Sequence, residues 1–295
     1  MPLRNKSLIL AFSLFMLCCP ESAALSFGPA GADKKQEETS GLLHPVTIIP
    51  HRAVYSMSLA SVKKSSSLAD LKGSLTFEWG DSCDGWPVQQ HLQLRFTYAE
   101  GDDINISSSV TTWEAKNGGK YHFNVRRTEN GKEKEIFRGR VTMGKNGGIA
   151  KYTLPDNKKD IPLSEETLFP SAHTKMVLEK AAAGNDKFFS RRVFDGSDEK
   201  GQSDISVFIG GRNERSLGSE VSPDLRDNPL LASSFWPVRL AFFDIDSETG
   251  EPDYEMNMVL QENGIARSLL LEYKTFSISG VLKSIEALPA PDCSH

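Results

Sequence analysis

From Val46 onward the apolar residues of this chain recur at every second position, and no other feature constrains its fold so tightly. In "LQLRFTY", Leu92, Leu94, Phe96 and Tyr98 share one face while Gln93, Arg95 and Thr97 share the other. "YHFNV" repeats the pattern through Tyr121, Phe123 and Val125, and "YEMNMVL" through Tyr254, Met256, Met258 and Leu260. Successive side chains of a strand point to opposite faces, so strict alternation means antiparallel strands with one face buried and one wet. The turns agree. "KNGG" stands at 116–119 and 145–148, "ENGK" at 129–132 and "ENGI" at 262–265. Asn-Gly reaches positive φ at little cost and is the strongest short hairpin signal. Further strands are expected at 51–60, 72–79, 103–113, 133–143, 187–195, 203–210, 236–244, 265–273 and 275–287. The chain reads as all-β, a long antiparallel meander of roughly 12–14 strands that must curl on itself, because closing or covering edges removes unpaired backbone.

One segment breaks the period. "FPSAHTKMVLEKAAAGN", 169–185, opens on Pro170 and Ser171, runs through good helix formers and ends at Gly184, a natural C-terminal cap. It predicts the main helix, near 170–183, placed to plug or cover one end of the curled sheet. The stretch 211–229, "GRNERSLGSEVSPDLRDNP", is polar and punctuated by Pro and Gly, and reads as a long surface loop.

The N-terminus has a different character. Arg4 and Lys6 precede an apolar run from Ser7 to Cys19, then Pro20 and the small residues Ser22, Ala23 and Ala24. This is the layout of a secretory signal peptide over 1–24, with an apolar run too short for a membrane span. Residues 25–45 are rich in Gly, Ala and charge and form an expected flexible leader, which leaves 46–295 as a single β domain. Nothing after residue 25 approaches a second apolar span, so the processed chain is not expected to cross a membrane.

Processing removes Cys18 and Cys19 and leaves Cys83 and Cys293. Two thiols in an oxidising compartment most simply form one disulfide; two unpaired thiols are the alternative. Neither belongs to a C-x-x-C motif and no histidine lies near either in sequence, so a staple is favoured over a catalytic thiol. Loss of Arg4, Lys6 and Glu21 turns 34 basic and 39 acidic residues into 32 and 38, a net charge of −6. That mild acidity argues against a nucleic-acid partner, which calls for a basic patch.

The search for chemistry finds little. His44, His51, His91, His122 and His173 form no H-x-x-x-H or H-E-x-x-H spacing, and no Cys/His cluster resembles a zinc site. No G-x-S-x-G, Walker or dinucleotide fingerprint is present. "DIDSETGEPD", 244–253, departs from calcium-loop alternation at Ser247 and Glu248, so neither a metal nor a cofactor is expected. Two clusters stand out. "PHRAVYSMSL", 50–59, opens the first strand with His51, Arg52 and Tyr55, and "FEWGDSCDGW", 77–86, sets Trp79 and Trp86 around Cys83. The structural reading, in which the aromatics shield the bridge and the first strand seals the sheet, is preferred to a binding patch.

These same segments, with "FPSAHTKMVL" at 169–178 and its His173, and the near-terminal Cys293, resemble the EipB-like family of alphaproteobacterial periplasmic cell-envelope integrity proteins. The resemblance spans essentially the whole processed chain and rests on the order and spacing of the motifs together. It implies a β-spiral, an open barrel with one helix, shaped like periplasmic lipoprotein carriers. It also implies a disulfide at Cys83 and Cys293, a periplasmic location, no catalytic residues, and a functional link to a periplasmic tetratricopeptide-repeat protein. Three functions follow as expectations. The first is a non-enzymatic factor that keeps the envelope sound and stress-resistant by binding a protein partner or envelope component. The second is a lipid or lipoprotein carrier with an apolar cavity in the barrel. The third is a hydrolase of an envelope polymer, which would need a site visible only in the folded geometry.

Overall fold

The computed structural model describes residues 46–214, 221–246 and 250–293. The expected signal peptide at 1–24, the expected leader at 25–45 and residues 247–249 of the 244–253 stretch lie outside the described residues. The strands are β1 (His51–Val62), β2 (Leu68–Trp79), β3 (Gly85–Tyr98), β4 (Ile104–Ala115), β5 (Lys120–Glu129), β6 (Lys132–Gly144), β7 (Gly147–Leu154) and β8 (Ile161–Leu163). The helix α1 (Pro170–Ala183) follows, then β9 (Phe188–Phe194), β10 (Gln202–Ile209), β11 (Phe235–Asp244), β12 (Tyr254–Gln261), β13 (Ala266–Glu272) and β14 (Phe276–Ala287). At three of the four Asn-Gly turns only the glycine takes positive φ, at Gly118, Gly147 and Gly264; the fourth uses both residues. Between β5 and β6, Asn130 and Gly131 both take positive φ, 49° and 76°, the pair that a two-residue hairpin matched to strand twist requires.

All fourteen strands among the described residues form one antiparallel sheet in the order β8-β7-β6-β5-β4-β3-β2-β1-β14-β13-β12-β11-β10-β9. The first and last strands pair at its centre, from His51 opposite Ala287 to Val62 opposite Phe276. Two meanders therefore run outward from that pair, and their far ends, β8 and β9, are joined through α1. Curling brings those ends together. Leu168, just before the helix, lies parallel to β9: its N–H donates to the Arg192 carbonyl at 3.0 Å, and its own carbonyl accepts from Phe194 N–H at 2.9 Å.

Aromatic packing continues the seam where the ladder stops. Tyr121 of β5 stacks on Phe169 with centroids 4.7 Å apart, and Phe194 of β9 meets Tyr121 at 6.1 Å and Phe123 at 5.5 Å. The Phe123 ring fits between two glycines: a Cβ at Gly139 or Gly196 would lie 2.5–2.6 Å from it. The result is an open barrel whose edges meet through side chains, and both edge strands are short, which limits the backbone left free to pair with another chain.

The alternation places the expected faces inward, with Ala53, Tyr55 and Met57 of β1 and Tyr121, Phe123 and Val125 of β5 all buried. Two expectations change. β7 and β8 were not expected as strands, because β7 opens on Gly147-Gly148 and only Ala150 along its length is buried, so its sequence carries no clean period. The stretch read as a surface loop packs down from Val221 onward. Val221 and Leu231 are each 2% exposed, short 3₁₀ turns form at Pro223–Leu225 and Pro229–Leu231, and Ser222 N–H donates to Leu282 O of β14. Widely spaced apolar residues in a polar segment gave no period to read, yet they suffice to pin a strap over the sheet.

Candidate functional site

The helix is held from outside itself. Its N-cap, Phe169, supplies no side-chain acceptor, its first turn contains no acid, and Pro170 occupies the first position. The acceptor arrives instead from β4. Glu114, 2% exposed, takes the Ser171 N–H on Oε2 and the Ala172 N–H on Oε1, each at 2.7 Å. One carboxylate thus satisfies two of the N–H groups that the helix start leaves open, Pro170 having none, at its positive end. At the other end Gly184, φ 72°, donates to Lys180 O and Ala181 O. His173, Val177, Leu178 and Ala181 turn into the sheet.

His51 and Trp79 sit opposite each other in the β1–β2 register, and Phe77 packs against both rings. Trp79 meets Trp86 edge-on at 6.2 Å. His51 Nδ1 bonds to the Ile49 carbonyl at 2.7 Å, while His51 Nε2, Trp79 Nε1 and His173 Nε2 are buried with no hydrogen-bond partner among the described residues. Tyr55 points inward and donates to Ala266 O at 2.6 Å; burial holds its phenol protonated. Arg52 points outward and bridges Glu78 of β2 at 2.6 Å and Glu286 of β14 at 3.0 Å, a charge clamp across three neighbouring strands. Cys83 and Cys293 are joined, with Cα atoms 5.7 Å apart. Both cysteines lie exposed, so Trp79 and Trp86 pack into the fold rather than wrapping the bridge. His51, Tyr55, Trp79 and Trp86 lie along one continuous stretch of wall, His173 comes in on the helix against Phe189 at 6.3 Å, and Arg52 faces the other way. Among the described residues, no group of three or more His, Cys, Asp or Glu could hold a metal ion.

Burial shifts two of these groups in opposite directions. It pushes Glu114 up to about 7, partly offset by the N–H groups of Ser171 and Ala172. It pushes His173 down to about 4, helped by the Arg191 charge. The folded state holds the Glu114 proton more tightly than the unfolded chain, so between about pH 4.5 and 7 this group's contribution to stability falls as pH rises. Asp253, raised to about 6, and Asp195, also raised, act in the same sense. His173 does the reverse: it binds its proton less tightly when folded, so its contribution grows with pH between about 4 and 6.5, and lowered His51 acts with it. In His173→Phe one opposing group is gone, so stability should fall more steeply with rising pH between 5 and 6.5, by up to about 1.4 kcal/mol per pH unit relative to wild type. Urea midpoints across that range test this; parallel curves would mean that His173 titrates normally in the folded protein.

The interior is unevenly filled. On β2, Leu71 and Trp79 are buried, yet Leu75 and Phe77 between them on the same face stay partly accessible. On β3, Val88, Leu94 and Phe96 are buried while Leu92 is partly accessible and Gln90 exposed. Register carries this level across the wall, Phe77 to Gln90 to Val110, and Leu75 to Leu92 to Ser108 to Arg127 to Glu135. Arg127 pairs with Glu135 at 2.6 Å. The facing wall presents Leu240, Met256, Met258, Leu269 and Leu271, also partly accessible. Sequence reading missed Glu114, Gln90 and Arg127 as special residues. Gln90 and Arg127 carried a signal, each polar at a parity whose strand neighbours are apolar; Glu114 follows Thr112 and Ser108 on its face and carried none.

The fold is a β-spiral, a curled antiparallel sheet whose polar residues serve as ion clamps, a helix anchor and an interior lining, with the Cys83–Cys293 bridge at the surface. The chain belongs to the EipB-like family, whose model matches residues 43–289. It is 29% identical over 251 residues to the cell envelope integrity protein EipB of Brucella abortus (strain 2308), covering 82% of this chain and 85% of that one. A crystal structure of a beta-barrel-like protein of domain of unknown function DUF1849 from Brucella abortus superimposes with a TM-score of 0.75 at 25% identity, over 83% of this chain and all of the other.

Proposed function

We propose that this protein is a non-enzymatic periplasmic factor that maintains the integrity of the cell envelope and its resistance to envelope stress, by binding a protein partner or an envelope component. The observation that carries the reading is family membership over residues 43–289 together with the relative named for envelope integrity. The signal-peptide layout at 1–24 and the Cys83–Cys293 bridge support an oxidising, exported location. A periplasmic tetratricopeptide-repeat protein is the partner class to try first by co-purification. The test is deletion in the native host. Loss of plating on deoxycholate or SDS, restored by the full-length gene but not by a version lacking residues 1–24, supports the reading. Unchanged plating on membrane and cell-wall stressors removes it. A second reading, carriage of a lipid or lipoprotein, is favoured by one observation: the exposed Gln90 on the inner face, between buried Val88 and Leu94.

A further inference from the structure

An inward side chain flanked on its own strand by buried neighbours can be reached by water only where the space before it is unfilled. Leu75 and Phe77 on β2, and Gln90 and Leu92 on β3, satisfy that condition. Val110 lies at the same level on β4, and Leu240 and Met258 of the other meander pack against the same buried cluster as Phe77. The inner face at this level is therefore left open as a water-accessible chamber, while Val177, Leu178, Trp79, Phe189 and Trp236 pack together at the helix end.

Its walls differ in chemistry. Across β3 to β6 runs a polar arc of Gln90, Ser108 and the Arg127–Glu135 pair. Across β11 to β13 runs an apolar wall of Leu240, Met256, Met258, Leu269 and Leu271. Phe77 packs against the same buried cluster as Leu240 and Met258, and Leu75 and Leu92 against the same cluster as Leu269 and Leu271, so the two walls meet around one interior. Unbranched Met side chains re-pack around flexible apolar guests, while a few placed polar groups orient one end of a ligand. Glu135 already neutralises Arg127, so the guest's polar end needs hydrogen-bond acceptors more than charge.

We propose that this chamber binds a long-chain acyl group, the chain lying along Leu240, Met256, Met258, Leu269 and Leu271 and its carbonyl head accepting hydrogen bonds from Gln90, Ser108 and Arg127. The proposal deepens the carriage reading above and rests on it. A glycerolipid and the acylated N-terminus of a lipoprotein share this chemistry.

The experiment titrates the delipidated secreted protein with cis-parinaric acid, whose fluorescence rises in an apolar enclosure. Saturable binding is expected in the wild type. Leu92→Trp, which fills the chamber, should weaken it about tenfold or more, while Gln93→Trp on the outer face of the same strand should leave it within about twofold. If Leu92→Trp fails to fold, the smaller filling Val110→Phe takes its place, with the melting curve as the check. Displacement of the probe by phosphatidylethanolamine points to a glycerolipid, and displacement by a diacylglyceryl-cysteine peptide points to a lipoprotein; either upholds the chamber. No saturable binding, displacement by neither competitor, or wild-type affinity in a natively folded filled variant overturns it. The envelope reading survives that failure, because the deletion phenotype does not depend on the probe.

Discussion

Cys293→Ser should destabilise the oxidised protein by about 3–5 kcal/mol, and reductant should impose the same loss on the wild type. The bridge closes a separation of 210 residues, so in the chain-entropy account it removes a large share of the unfolded state's freedom. The positive φ of Cys83, 63°, offsets part of this gain, but ordered backbone leads to the bridge from both sides. On one side the 81–84 turn is fixed before the sulfur: Asp81 accepts the Cys83 N–H at 2.8 Å and the Lys116 ammonium at 2.7 Å, and Lys116 N–H donates to Asp84 O at 2.9 Å. On the other side β14 delivers the tail, with Leu288 N–H on Pro50 O at 2.8 Å. A domain of this size should melt roughly 10 °C lower without the bridge. Cys83→Ser and Cys83→Ser/Cys293→Ser should match the single variant, since one bond is lost in each. Equal melting temperatures with and without reductant would refute the staple.

Removal of the Glu114 carboxylate should have the second-largest effect. Glu114→Ala strips the acceptor from two helix N–H groups, one of them fully buried, and each orphaned donor costs about 1–3 kcal/mol. A loss of about 2–4 kcal/mol is expected in urea unfolding, with faster amide exchange at Ser171–Thr174. Glu114→Gln keeps the shape but offers one oxygen where two N–H groups need acceptors, so it should fall between wild type and Ala. The consequence reaches past the helix. Phe169 stacks on Tyr121 one residue before Pro170, so a loosened helix start also loosens the aromatic seam between β5 and β9. A Glu114→Ala variant within about 0.5 kcal/mol of wild type would show that water serves those N–H groups as well as the carboxylate does.

Much of the architecture can be read without the coordinates, because strands and hairpins are local. Alternation at Leu92–Tyr98, Tyr121–Val125 and Tyr254–Leu260 reports which face is buried, and Asn130-Gly131 reports where the chain reverses. Pro170 and Gly184 bracket the helix for equally local reasons. The two cysteines beyond the expected signal peptide suggest a pairing by number alone. β7 escaped because its side chains are buried too unevenly to print a period, and the strap at 221–231 because three or four apolar residues hold it.

The sequence by itself determined the inside and outside of each strand, the hairpins, the helix and the staple, since all of these follow from period, φ preference and cysteine count. Tertiary structure decided the rest. That β1 meets β14 at the centre of the sheet, that Glu114 travels 57 residues in sequence to cap a helix, and that the inner face at Gln90 and Leu92 is left unfilled all depend on which distant segments share a volume. Parity tells a side chain which way to point; only the curled sheet determines what, if anything, stands in front of it.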